Sequence, residues 1–96
     1  MIIEDFIPLQ EISTHYEVEI SFINELGEIG LIQITVIEQR HYVHQDQIRN
    51  IEKMIRMHHD LNVNIEGIDA VFGLLHKIDV LQKELKEMKN RLRIYE

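Results

Sequence analysis

Residues 9–44 read LQEISTHYEVEISFINELGEIGLIQITVIEQRHYVH, and their hydrophobic period changes once along the way. Residues 9–15 predict a short helix behind Pro8, where a missing N–H costs little. Residues 18–26 set Val18, Phe22, Ile23 and Leu26 near one face of a second helix, with Gly27 as its expected terminator. Two short helices joined this tightly predict a helix-turn-helix unit. Past Gly30 the period shortens. Leu31-Ile-Gln-Ile-Thr-Val-Ile37 is rich in β-branched residues and reads as a strand. Glu38-Gln39-Arg40 is the expected turn and residues 41–44 the return strand, although the turn has no Asn-Gly or Asp-Gly.

Working outward, residues 2–7 are apolar and β-branched around an acidic pair, which suits a short strand or an extended lead-in. On the other side Asp46 is the expected N-cap of a helix from about Gln47 to His59, with Ile48, Ile51, Met54 or Ile55, and Met57 or His58 facing inward. Residues 61–64 break it. Asn64 then caps a long helix with no proline before residue 94. In that helix Val71, Leu74, Ile78, Leu81, Leu85, Met88, Leu92 and Tyr95 recur at spacings of 3, 4, 3, 4, 3, 4 and 3, a heptad seam. A second stripe of Ile65, Ile68, Phe72 and Leu75 exists only in the first half. The expected division is therefore 1–63 as a globular unit and 64–96 as a helix that packs on it and continues as a dimerisation coiled coil. A lone helix of that length is marginal in water, so a homodimer held by Leu74, Ile78, Leu81, Leu85, Met88 and Leu92 is expected.

Ninety-six residues leave room for one core, and one proline with four glycines argues against disorder. No cysteine is present, which excludes disulfides, thiolate zinc sites and thiol catalysis, and suits a cytoplasmic location. The opening residues carry acid and no basic run, so no signal peptide is expected, and no apolar run is long enough for a membrane span. The formal charge of −7 is unevenly distributed. Residues 1–48 hold nine carboxylates against Arg40 alone, whereas residues 49–96 hold nine Lys or Arg and eight carboxylates. Gripping DNA takes several cations to release phosphate counterions, and the first half would repel phosphate. No nucleic-acid partner is expected.

The six histidines do not assemble into ligand spacing. His41 and His44 fall on opposite faces of a strand, and His58 and His59 are adjacent on a helix. Ser13, Thr14 and His15 in sequence supply no nucleophile–base geometry, and there is no G-x-S-x-G, phosphate-binding glycine loop or H-E-x-x-H. No enzyme activity, metal or cofactor is expected. The sharper feature is the acidic set Glu17, Glu19, Asn24, Glu25 and Glu28 around the second helix, expected opposite Phe22, Ile23 and Leu26. A face serving only solubility normally mixes both signs. This set is the candidate partner-binding surface.

The order of elements resembles the MerR-type winged-helix pattern. There the second helix carries an Arg-Tyr-Tyr run and the wing carries Arg and Tyr for phosphate contacts. Here the corresponding stretches read Ser21-Phe22-Ile23-Asn24-Glu25 and Gln39-Arg40-His41-Tyr42. More closely, Tyr42-Val43-x-x-Asp46, residues 55–61 (IRMHHDL), Gly67-Ile68-Asp69, Leu74, Leu75 and the run from Leu81 to Leu92 resemble the chaperone-modulator, CbpM-like family over roughly residues 12–93. The resemblance implies a mainly α winged helix-turn-helix with a small β-hairpin wing and a long C-terminal coiled-coil helix. It also implies binding to the J-domain of a DnaJ-like cochaperone, whose basic helix contacts Hsp70, and restraint of that action without catalysis. The alternative is a MerR-type DNA-binding transcriptional regulator, using Lys53, Arg56 and C-terminal cations.

Overall fold

A computed structural model describes residues 5–95. It is a mainly α winged helix-turn-helix with eight short or long elements in chain order. They are β1 (Phe6–Pro8), α1 (Leu9–Tyr16), α2 (Ile20–Glu28), β2 (Ile34–Ile37), β3 (Arg40–His44), a 3₁₀ turn (Gln45–Gln47), α3 (Ile48–Asp60) and α4 (Ile65–Tyr95). The strands form one antiparallel sheet in the order β1-β3-β2. The expected two-stranded wing therefore gains a third strand. Apolar Phe6 and Ile7 pair with His44 and Val43 on the open edge of β3, and Pro8 opposite Tyr42 needs no N–H there because β1 is an edge. Residues 2–4 of the expected lead-in lie outside the described residues.

The turn between the first two helices is shorter than any loop with its own core could be. Glu17 takes a left-handed conformation (φ 53°, ψ 49°), and the Val18 N–H donates to the Ser13 carbonyl at 3.1 Å while the Ser13 hydroxyl donates to the Val18 carbonyl at 2.5 Å. This double latch fixes the angle at which α2 leaves α1.

Gly27 does not end α2, which runs through Glu28. Its missing side chain serves packing instead, since a Cβ there would lie 2.5 Å from Ile34 Cδ1 of β2. The left-handed residue that turns the chain is Gly30 (φ 85°). The wing turn comprises two residues rather than three, because Ile37 pairs directly with Arg40. Glu38 (φ 48°) and Gln39 (φ 68°) both lie in the left-handed region without being Gly or Asn. Such a turn matches strand twist but is strained for these side chains. Replacing Glu38-Gln39 by Asn-Gly should stabilise the protein by on the order of 1 kcal/mol, read as a raised urea midpoint.

Asp46 is not the cap of α3. The chain passes through the 3₁₀ turn first, and α3 begins at Ile48 with no side-chain cap bond. His44 Nδ1 lies 3.2 Å from the Asp46 N–H and 2.9 Å from Asp46 Oδ1; a neutral ring accepts the first and a protonated ring donates to the second. Gln47 is drawn to the wing, where its carboxamide accepts the Gln33 N–H (2.7 Å) and donates to the Gln33 carbonyl (2.9 Å).

One core joins all of this. Leu9, Ile12, Val18, Phe22, Ile23, Leu26, Ile32, Val43, Ile51, Met54, Ile55 and Ile68 are buried together. Tyr16 closes its edge. Its hydroxyl donates to Glu52 Oε1 at 2.5 Å, and that bond, with burial and the nearby carboxylate charge, pushes the phenol up to about 12. From α4 the core takes Ile68, flanked by half-buried Ile65 and Phe72, while Leu75 of the same stripe is exposed. Beyond that the helix stands clear. The radius of gyration is 17.5 Å, against about 12–13 Å for a compact chain of this length.

Candidate protein-binding groove

Three loosely related stretches of sequence meet on one side of α2. Its N-cap residue Glu19 has an extended backbone, its carbonyl accepts the Phe22 N–H at 3.1 Å, and its carboxylate accepts the Ser21 hydroxyl at 3.3 Å. Ser21, Glu25 and Glu28 follow at helical spacing on the exposed flank, while Phe22, Ile23 and Leu26 turn into the core.

The second stretch is the end of α3. The His58 ring stacks on Phe22, with centroids 4.5 Å apart and planes 22° from parallel. Its Nδ1 lies 3.2 Å from the Val63 carbonyl, and because a carbonyl only accepts, Nδ1 carries a proton. The third stretch is the start of α4. Asn62 (φ 55°) reverses the chain, and the Asn64 side chain accepts the Gly67 N–H at 2.8 Å, the capping role expected of it. That cap aims the first turn of α4, with Ile65 and Glu66, back at α2.

Between them lies a groove of about 550 Å³ lined by Glu19, Ser21, Phe22, Glu25, Glu28, Ile29, His58, Asn64, Ile65 and Glu66. Four carboxylates surround an apolar floor, and no Lys or Arg lines it. Among the described residues the one ion pair of a Lys or Arg is Lys83 with Asp79, at 3.1 Å and far along α4. The groove's carboxylates are therefore uncompensated.

Glu19, Glu25 and Glu28 of the expected surface come together here. The other two do not. Asn24 is half-buried on the opposite flank of α2 and lines a separate groove with Ile20 and the wing residues Arg40 and His41. Glu17 is spent on the left-handed turn. Glu66 and the Phe22–His58 stack were not legible as part of the surface, because they join it only through the packing of α3 and α4. The one local hint was Asn64, whose cap fixes where α4 begins.

The elements that would meet DNA, α2 and the β2–β3 wing, carry Arg40 as their only Lys or Arg. The remaining cations of the globular unit, Arg49, Lys53 and Arg56, are exposed on α3. Among the described residues no group of three or more His, Asp or Glu side chains is placed to hold a metal ion. Nor is any described helix long and apolar enough to cross a membrane. The expected dimerisation residues Leu74, Ile78, Leu81, Leu85, Met88 and Leu92 lie along α4, each between 50% and 63% exposed.

No curated protein and no solved structure matches the chain. The family model described as MerR HTH family regulatory protein matches residues 7–90, from β1 to within a turn and a half of the end of α4. The helix-turn-helix, the wing and the long helix are thus shared as one unit, and the chain belongs to the MerR HTH family of regulatory proteins.

Proposed function

We propose that this protein is a non-enzymatic, cytoplasmic chaperone modulator that holds the basic helix of a J-domain in its acidic groove and so restrains a DnaJ-like cochaperone from acting on Hsp70. The observation that carries this reading is that Glu19, Glu25 and Glu28, at the start of and along the helix that reads DNA in a winged helix-turn-helix, line one groove with Glu66 of α4. DNA contact requires cations at that position, and each carboxylate there opposes phosphate. A basic helix meets complementary charge on the rim and apolar contact from Phe22, Ile29 and Ile65 on the floor. Occupying the basic helix is enough to keep it from Hsp70, with no conformational change. The exposed seam of α4 supports a homodimer as the working form.

Replacing Glu19, Glu25 and Glu28 together by Gln removes three charges and keeps shape, with a stability change within about 0.5 kcal/mol each. Association with a J-protein, followed by surface resonance, should slow by roughly tenfold at low salt and lose most of its salt sensitivity. Circular dichroism should stay unchanged. Equal association rates for the folded variant and the parent would remove the groove as the docking face. Sequence-selective retention of duplex DNA at about 0.15 M salt would favour the DNA-binding regulator instead.

A further inference from the structure

Among the described residues that line the acidic groove, His58 is the one imidazole, and the fold fixes its tautomer as well as its place. Its face lies on Phe22 with centroids 4.5 Å apart, and its Nδ1–H is held by the Val63 carbonyl at 3.2 Å. In the neutral ring Nε2 is then left as an acceptor. The charged groups that share the groove with it are Glu19, Glu25 and Glu28 beside α2 and Glu66 on α4, and as carboxylates they accept without donating. On α3 itself the adjacent His59 ring stands 5.7 Å away, tilted by 42° and at an exposed position. The floor thus holds one fixed acceptor amid apolar surface, ringed by negative charge, and none of those charged groups supplies the N–H it would take.

We infer that Nε2 of neutral His58 accepts an N–H from a Lys or Arg of the bound helix, so that His58 selects a cation at the centre of that helix face and makes its capture depend on pH. The inference rests on the groove being the docking face. A Lys or Arg that crosses the floor lays its methylenes on Ile29 and Ile65. Its head then needs an acceptor at that depth, because burying a cation without one is costly. The rim carboxylates attract any basic segment, whereas the floor acceptor asks for a cation at one place, which an apolar side chain cannot satisfy. Protonation reverses the preference. The imidazolium presents a second N–H where the partner also donates, and it supplies inside the groove the positive charge that the four carboxylates otherwise draw from the partner. Binding that uses the neutral ring excludes a proton, so affinity falls as the pH drops through the range in which an imidazole becomes charged.

Fluorescence anisotropy of the full chain with two labelled probes, at about pH 7.5 and about pH 5.5, tests this. One probe is the J-domain of a DnaJ-like protein and the other a synthetic amphipathic helix of Lys and Leu. Capture by the parent chain should weaken by about tenfold at the lower pH, over a span in which carboxylates ordinarily stay ionised. His58→Gln keeps a carboxamide oxygen near the place of Nε2 and does not titrate. It should bind within about threefold of the parent at the higher pH and lose most of the pH response. His58→Leu has no acceptor and should bind about tenfold more weakly at the higher pH. His59→Gln should keep the parent's pH response. Titration of the probe itself is common to all four chains, urea midpoints check that each is folded, and His58→Gln carries the test if His58→Leu does not fold. Equal pH responses in the parent and His58→Gln, or parent-like binding by folded His58→Leu, would overturn the inference. If Glu19→Gln/Glu25→Gln/Glu28→Gln still weakens capture in those cases, the groove remains the docking face and only the role of His58 fails. Should the synthetic helix alone bind, with the expected response to His58, the inference holds and the J-domain is removed as the partner. No binding of either probe at the higher pH would overturn both.

Discussion

Replacing Leu81 and Leu85 together by Asp is expected to leave a monomer in light scattering at every accessible concentration. Both residues lie on the free part of α4, where Leu81 is 62% and Leu85 53% exposed. Covering a Leu side chain is worth about 1.5–3 kcal/mol, and a symmetric dimer covers four of these two. Losing them removes roughly 6 kcal/mol or more, about four decades in the dimer constant, before the added penalty of burying carboxylates. The distal helix should also fray once unpartnered, with part of the helical circular dichroism lost, because its surface pairs such as Asp79–Lys83 contribute little on their own. An unchanged mass would place the contact between copies elsewhere on the molecule.

The second large effect lies at the opposite extreme of burial. Leu26→Ala should destabilise the globular unit by about 2–5 kcal/mol, a large part of the total for a domain of this size. Leu26 is fully buried, as are Ile23, Ile51 and Ile68, so it belongs to the layer that binds α2 to α3 and α4. The hole left by truncation cannot collapse easily, because the Leu31 N–H is tied to the Leu26 carbonyl at 3.0 Å and Gly27 already packs against Ile34. Val36→Ala on the exposed wing should change stability by no more than about 0.5 kcal/mol. Urea midpoints of the two variants, measured side by side, check the contrast. Since the groove is built on the same layer, Leu26→Ala should also weaken capture of a J-protein, whereas Val36→Ala should not.

Periodicity alone identified α1, α2, α3 and α4 within a few residues, together with the hairpin, because each must hide one apolar face and its period is written locally. Element ends were less legible wherever a side chain had a distant competitor. Gly27 reads as a terminator until Ile34 is packed over it, and Asp46 reads as a cap until a 3₁₀ turn starts at Gln45 and the Asp46 carboxylate faces the His44 ring. A short strand was one of two readings of residues 2–7, but its place in the sheet was not legible, since β1 is settled only where the outer edge of β3 offers it hydrogen bonds.

For the site, the sequence by itself determined the sign. Nine carboxylates against one Arg in the first 48 residues are present whatever the fold, and so is the heptad spacing of the seam. Tertiary structure alone decided which of those charges act together. It gathered Glu19, Glu25 and Glu28, sent Asn24 to the wing side of α2 and brought in Glu66 from more than thirty residues away. It also seated His58 on Phe22 to make a floor from two residues that carry no mark of each other. The physical reason is range. Charge count and hydrophobic period are sums over neighbours in the chain, whereas a groove forms where separate helices leave a gap, and the position of that gap follows from how their buried faces interlock.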